Sequence, residues 1–350
     1  MNCNTSISKS ARPVGGGCES GFTLIEMMIA ITIGLGILAG LVGVLAANSN
    51  NSRSNDRTSE LMSNGRYALN SMKQELRQAG FRGYTWAEPN TPGSLGTPGN
   101  ECLEAGATPG AFVANIRQGI WGANNSNPFS GGNNPCIPTA SYASGNDVLV
   151  VRRLAAIPAP TLNATSVYFR SSYAAGQIFR GTGTACPLPP ISTYTAPFNA
   201  APCIPGSAFV DLSDFAVLIY VYYISPFTAD ETPRVPALYR VALQSDGSMS
   251  RELVASGIEH FQVQYGRLTT ATPPTTQFFD TLDGSSFSTA ASEWDNVNSV
   301  RIWLLARNET AEPGYVNNNS YVMGDQTYNF GASPDGFRRQ VFSTVVQLRN

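Results

Sequence analysis

The chain has 350 residues and a formal net charge of −2, and 13% of its side chains are charged, about half the share usual in soluble proteins. No basic block stands anywhere in it, which argues against a nucleic-acid-binding surface, since that needs clustered Lys and Arg to neutralise phosphates. Its 33 glycines and 23 prolines predict long loops around one large domain or two small ones.

Residues 1–21 are polar and lack periodicity. From Phe22 to Ala47 the character changes: Glu26 is the one charged side chain, and Met27–Ala47 is an uncharged run of 21 residues. As a helix that run would be about 31 Å long, the thickness of a bilayer's hydrocarbon core. Lys9 and Arg12 ahead of it favour holding the first residues on the cytoplasmic side. The run is too long and starts too late for a secretory signal, and Leu45-Ala46-Ala47 fits the small-residue cleavage rule poorly. A lipidated cysteine would follow an apolar stretch, whereas Cys18 precedes this one. A plain single-pass anchor is the simplest alternative. Glu26 argues against it, because a carboxylate in an apolar segment is unfavourable without a partner. Gly36 and Gly40 form a GxxxG, the spacing that lets helices approach closely, although glycine is also ordinarily tolerated in membrane helices.

Asn48–Gly80 reads as the same helix leaving the membrane. Leu61, Gly65, Ala68, Leu69, Met72, Leu76 and Ala79 recur at spacings of three and four and make one apolar stripe, with Gly80 as the expected C-cap. Trp86–Asn146 is dense in Pro, Gly and Asn, with Ala111–Arg117 as a short strand or turn of helix. Cys102 with Cys136 and Cys186 with Cys203 each bracket a Pro- and Gly-rich stretch. An even count flanking loops behind an export segment reads as two loop-stapling disulfides. The alternative, free or metal-bound thiols, lacks CxxC spacing and has a single histidine to draw on.

From Asp147 onward strands dominate: Asp147–Arg153, Ser166–Arg170, Ala216–Ile224, Ala237–Leu243, Glu259–Tyr265, Val297–Arg307 and Gln340–Leu348. In Glu259–Tyr265, Phe261, Val263 and Tyr265 alternate with Gln262 and Gln264, so one face is buried; His260 falls on the polar side and reads as a solvated surface residue. With one histidine, no Walker loop and no dinucleotide-binding fingerprint, no catalytic residue, cofactor or metal is expected. Asp280-Thr281-Leu282-Asp283-Gly284 lacks the full ligand ladder of a calcium loop and reads as a turn. Asp211 and Asp214 read as helix or turn caps.

The string Gly21-Phe22-Thr23-Leu24-Ile25-Glu26 resembles the processing site of type IV pilins and of type II secretion pseudopilins. The resemblance implies that a prepilin peptidase cuts between Gly21 and Phe22 and methylates the new amino group of Phe22. It also implies that Glu26 pairs with the terminal amine of a neighbouring subunit, setting register as a filament grows. Leu76-Arg77-Gln78-Ala79-Gly80-Phe81, the strand pair Gly257–Gly266 with Val297–Arg307, and the stretch from Phe337 to Asn350 are similar to minor pilins of the PilW family and to J-type pseudopilins.

The fold implied is α+β and pilin-like, in four segments: a cleaved leader 1–21, a membrane and filament-core helix 22–47, an amphipathic soluble helix 48–80, and an antiparallel β-rich head 81–350 with loop insertions 86–146 and 183–206. The function implied is that of a structural minor pilin that helps initiate a type IV pilus and sits at or near its tip. The alternatives are a J-type pseudopilin of type II secretion and a membrane-tethered binding module or enzyme. The partners implied are other minor pilins, the major pilin, the peptidase/methyltransferase, the inner-membrane assembly platform and a tip adhesin, but no nucleic acid. The location implied is the bacterial inner membrane, single-pass with the head in the periplasm, then a surface pilus.

Overall fold

The computed structural model describes residues 21–85, 89–90, 102, 110–131, 135–172, 176–181, 213–229, 234–282 and 293–348. Cys3, Cys18, Cys186, Cys203, Asp211, Asp283, Gly284 and the whole insertion 183–206 lie outside the described residues. The chain divides into two compact units, Met1–Asn55 and Asp56–Asn350.

In the first unit, helix α1 (Leu24–Arg77) begins two residues inside the expected start and runs for 54 residues into the second unit. Its apolar side chains lie in the open: Leu24 is 82% exposed and Ile37 67%. Among the described residues it is the one helix long and apolar enough to cross a membrane.

In the second unit α1 shows its predicted stripe. Leu61, Gly65, Ala68, Met72 and Leu76 are buried and Leu69 is partly buried. The helix ends at Arg77, where the N–H groups of Gln78 and Ala79 bond back three residues to Glu75 and Leu76. Gly80 has φ +78°, as a C-capping glycine would, but its N–H donates to the Arg152 carbonyl at 2.9 Å. The glycine expected to close the helix therefore ties the helix end to a strand. Gly119 completes the contact, since a Cβ there would stand 2.5 Å from the Gly80 Cα.

After β1 (Pro89–Asn90) come the short helix α2 (Gly110–Ala114), β2 (Ile120–Ala123), β3 (Val148–Leu154), β4 (Val167–Ser171) and β5 (Gly176–Arg180). Next are β6 (Ser213–Ser225), β7 (Ala237–Leu243), β8 (Met249–Ser256), β9 (Ile258–Leu268) and β10 (Thr276–Phe279). The last are β11 (Val297–Arg307), β12 (Ser320–Met323), β13 (Gln326–Asn329) and β14 (Arg339–Gln347). All seven expected strands are present, β7 and β11 with the expected ends.

They form an eight-stranded sheet ordered β1-β5-β4-β6-β3-β2, with β7 on β6 and β8 on β7. A four-stranded sheet follows the order β10-β9-β11-β14, and β12–β13 is a separate hairpin. Pairing is antiparallel except between β1 and β5. The 13 residues of β6 span about 43 Å, long enough to pair β4 at one end and β7 at the other. Asn146 and Asp147, just before β3, stitch the sheets together. Asn146 Oδ1 accepts the Phe261 N–H at 2.8 Å, and Asp147 Oδ2 accepts the Val263 N–H at 2.6 Å.

The stretch read as a loop insertion at 86–146 supplies core. Phe112, Ile116, Ile120, Trp121, Phe129 and Ile137 are each at most 4% exposed. Edge-on aromatic contacts run from Phe112 to Phe129 and from Phe129 to Trp121; Trp121 and Trp294 lie 6.2 Å apart, and Tyr265 meets Trp294 at 4.7 Å. Cys102 and Cys136 are joined by a disulfide inside this core. Closing a 34-residue span stabilises by about 3–4 kcal/mol on the chain-entropy account.

Gly65 lets the ring of Phe342, on β14, lie directly on α1, because a Cβ at that position would stand 2.3 Å from a ring carbon. Gly65→Ala should therefore cost about 1–2 kcal/mol in urea unfolding of the detergent-solubilised chain, despite alanine's better helix propensity. Combining it with Phe342→Leu should recover part of the loss. A stabilised Gly65→Ala would show that the ring moves aside freely.

Candidate processing and assembly site

Gly21, Phe22 and Thr23 precede α1 without helical structure. Phe22 is 85% exposed, and nothing lies within 4 Å of where a Gly21 Cβ would stand. A peptidase needs such an accessible, sterically open bond.

Glu26 is turned back on the start of its own helix. Its Oε2 accepts the Thr23 N–H at 2.9 Å and the Thr23 hydroxyl at 2.9 Å, while the Glu26 N–H donates to Thr23 Oγ1 at 3.3 Å. This reciprocal pair is a capping box: two orphan donors of the first helical turn are satisfied by two side chains. It explains why the helix starts at Leu24. The signal was present in the sequence as Thr-x-x-Glu, but the reading of Glu26 above took it as an acidic residue awaiting a partner in another chain. Gly36 and Gly40 likewise present open faces, with no atom within 4 Å of a Cβ at either position.

Elsewhere the polar residues depart from their sequence readings. His260 is not solvated: its ring stacks on Tyr328 of the β12–β13 hairpin at 3.7 Å, its Nδ1 is buried, and burial lowers its pKa to about 4. Alternation along β9 identified the polar face correctly, but the hairpin covers that face. Gln262, 1% exposed, donates there to the Tyr328 hydroxyl at 2.8 Å, the Asn125 side chain at 3.1 Å and the Gly145 carbonyl at 3.1 Å. Asp280 accepts from Gln264 at 2.8 Å, and among the described residues no group of three or more His, Cys, Asp or Glu could hold a metal ion. Asp214, read as a helix or turn cap, is fully buried and ion-paired with Arg170 at 2.7 Å.

Asp147 lies beneath this polar layer, 2% exposed. Burial raises its pKa to about 7, against the lowering effect of the Asn125 and Val263 N–H bonds and with smaller upward pushes from Asp325 and Asp280. A carboxyl whose folded pKa lies above its unfolded value contributes stability below the unfolded pKa, and loses it as pH rises through the folded one. The urea midpoint should thus fall between pH 4 and pH 8, by about 2–4 kcal/mol in free energy, and the fall should be largely absent in Asp147→Asn. Identical pH profiles for the two proteins would count against a protonated Asp147.

Two family models match the chain. Residues 17–42 match the prokaryotic N-terminal methylation motif. Residues 221–350, from the second half of β6 through β14, match PilW, type IV pilus-assembly protein W. The chain thus carries a pilin-type N-terminus and, over its last 130 residues, a PilW segment. No curated protein and no solved structure matches it significantly. The methylation motif places Gly21, Phe22 and Glu26 within the matched segment, and the apolar helix behind them fits a single-pass membrane anchor. The matched PilW model is described as a type IV pilus-assembly protein, which points to pilus components as partners.

Proposed function

We propose that this chain is a PilW-family pilin, cut by a prepilin peptidase between Gly21 and Phe22 and methylated on Phe22, that then serves as a minor pilin and primes assembly at or near the pilus tip. Its part is structural, with no reaction catalysed. Before assembly the head stands in the periplasm with the helix in the inner membrane; afterwards the subunit belongs to the surface filament, beside other minor pilins and the major pilin. The observation that carries this reading is the open Gly21–Phe22 bond five residues before Glu26, on a helix whose large apolar side chains from Leu24 to Leu45 are exposed among the described residues.

Cleavage would free an ammonium on Phe22, one residue before the capping box. In the separate subunit, Thr23 satisfies the Glu26 carboxylate. In a filament, a neighbour's Phe22 ammonium supplies the opposite charge, and two groups that are each costly in an apolar core offset one another at a single axial stagger. Mass spectrometry of the pilin from bacterial membranes should find methylated Phe22 at the N-terminus. An N-terminus at Met1 or Asn48 would refute the reading.

A further inference from the structure

Sheet edges present unpaired main-chain groups, and folds commonly guard them with short strands or charges. Among the described residues β2, β10, β12 and β13 have four residues each, β1 has two, and β8 carries Arg251 and Glu252. β14, the outer strand of the four-stranded sheet, has no such guard. From Gln340 to Leu348 it runs nine residues without a charge, a proline or a glycine, and is rich in Val, Thr and Phe. Its ladder with β11 is fixed at both ends: the Leu348 N–H donates to the Asn298 carbonyl at 2.9 Å, and the Asn308 N–H to the Arg338 carbonyl at 3.1 Å. The register between them has no shift, so the even-numbered residues turn their main-chain groups toward β11. Those of Ser343, Val345 and Gln347 point the other way, to the open edge, and among the described residues nothing bonds to them.

The side chains along this edge match a copy of themselves. Ser343, Val345 and Gln347 are exposed, Val345 by 51%, while Val346 is buried and Phe342 packs on α1. Set antiparallel about a two-fold axis at Val345, two such strands place Val345 against Val345 and Ser343 against Gln347. That is an apolar pair flanked by two pairs able to hydrogen-bond, with no like charges opposed from Ser343 to Gln347. The same register lets the outward groups exchange about six main-chain hydrogen bonds. We propose that β14 pairs with β14 of a second copy of this chain, joining two four-stranded sheets into one continuous sheet across a two-fold axis. The pairing gives the head a self-association surface of its own, and it does not depend on the processing of Phe22 or on the charge of Glu26.

The test is sedimentation of the full-length pilin in detergent micelles over a range of concentrations, with site-specific cross-linking. The pilin should dimerise with a Kd on the order of 10 μM, and Val345→Lys, which sets two ammonium groups against each other, should weaken the dimer at least tenfold. Val345→Cys should give a disulfide-linked dimer under mild oxidation, beyond the level seen for the unsubstituted chain, because residues opposite one another lie within bonding range. Gln340→Cys, distant from its own copy in this register, should not. In the unsubstituted chain the amides of Ser343, Val345 and Gln347 should exchange hydrogen more slowly as concentration rises, a readout that needs no variant to fold. The proposal is overturned by a chain that stays monomeric at about 100 μM, whose edge would then be open to a strand of a different protein. It is equally overturned by a dimer that survives Val345→Lys but not Gly36→Leu, which would place the contact on α1, or by exchange at those amides that ignores concentration.

Discussion

Glu26→Gln is expected to leave the pilin in the membrane at its normal level while cutting its incorporation into filaments by roughly tenfold to a thousandfold, the range seen when one partner of a buried charge pair is removed. Glutamine keeps an oxygen able to accept the Thr23 N–H and hydroxyl, so the start of α1 should be undisturbed. What it lacks is the charge that would meet a neighbour's Phe22 ammonium in an apolar core. Thr23→Val makes the reverse change: it removes the capping hydroxyl and retains the carboxylate, and it should lower incorporation only slightly. Immunoblots of sheared pili against whole membranes separate the two variants. Equal incorporation of Glu26→Gln and wild type would sink the pairing role, and a Thr23→Val defect as large as that of Glu26→Gln would make helix capping, not charge, the contribution of Glu26.

Asp214→Ala is expected to cost about 3–5 kcal/mol. Arg170 and Asp214 are register partners across β4 and β6 and form a bidentate pair, with Nε to Oδ1 at 2.7 Å and Nη2 to Oδ2 at 2.9 Å. Asp214 is fully buried and Arg170 is 7% exposed, with its guanidinium 4.9 Å from the Phe179 ring centroid. Deleting the carboxylate removes the bidentate partner of a guanidinium that is only 7% exposed. Replacing both residues, Arg170→Met with Asp214→Leu, should recover most of the loss, since a well-packed apolar pair avoids the desolvation that the ions incur. Urea unfolding followed by circular dichroism reads both effects. A loss below about 1 kcal/mol in Asp214→Ala would mean that water or another group replaces the carboxylate.

The N-terminal methylation motif, the apolar helix and its amphipathic continuation were legible because they are local. A cleavage site is read in extended chain, a membrane span by its length, and a buried helical stripe by spacings of three and four from Leu61 to Ala79. The long strands β3, β6, β7, β9, β11 and β14 were legible for the same reason: an alternating or continuous apolar run is a property of neighbours in the chain. The shorter strands β2, β5, β10, β12 and β13 span only four or five residues each, too few for a period to emerge, and they form because longer strands or each other complete their hydrogen bonds.

The aromatic core of residues 110–137 was illegible for a related reason. Phe112 lies in a five-residue helix, Trp121 in a four-residue strand and Phe129 outside either, so no period marks them, and the surrounding Gly, Pro and Asn disguise them as loop.

Gly21, Phe22 and Glu26 thus stand out as candidates from residues in series, since the proposed cleavage motif and a lone charge in an apolar run are both linear features. The capping of Glu26 by Thr23 was equally local, yet its assignment to the chain's own helix came from the folded geometry. The fates of His260, Gln262, Asp147 and Asp214 could be decided only in three dimensions. Whether a polar side chain is solvated or buried depends on what lies over it, and here the cover comes from the distant β12–β13 hairpin, the opposite sheet or a strand partner such as Arg170. Alternation says which way a side chain points; only tertiary packing says whether water is there.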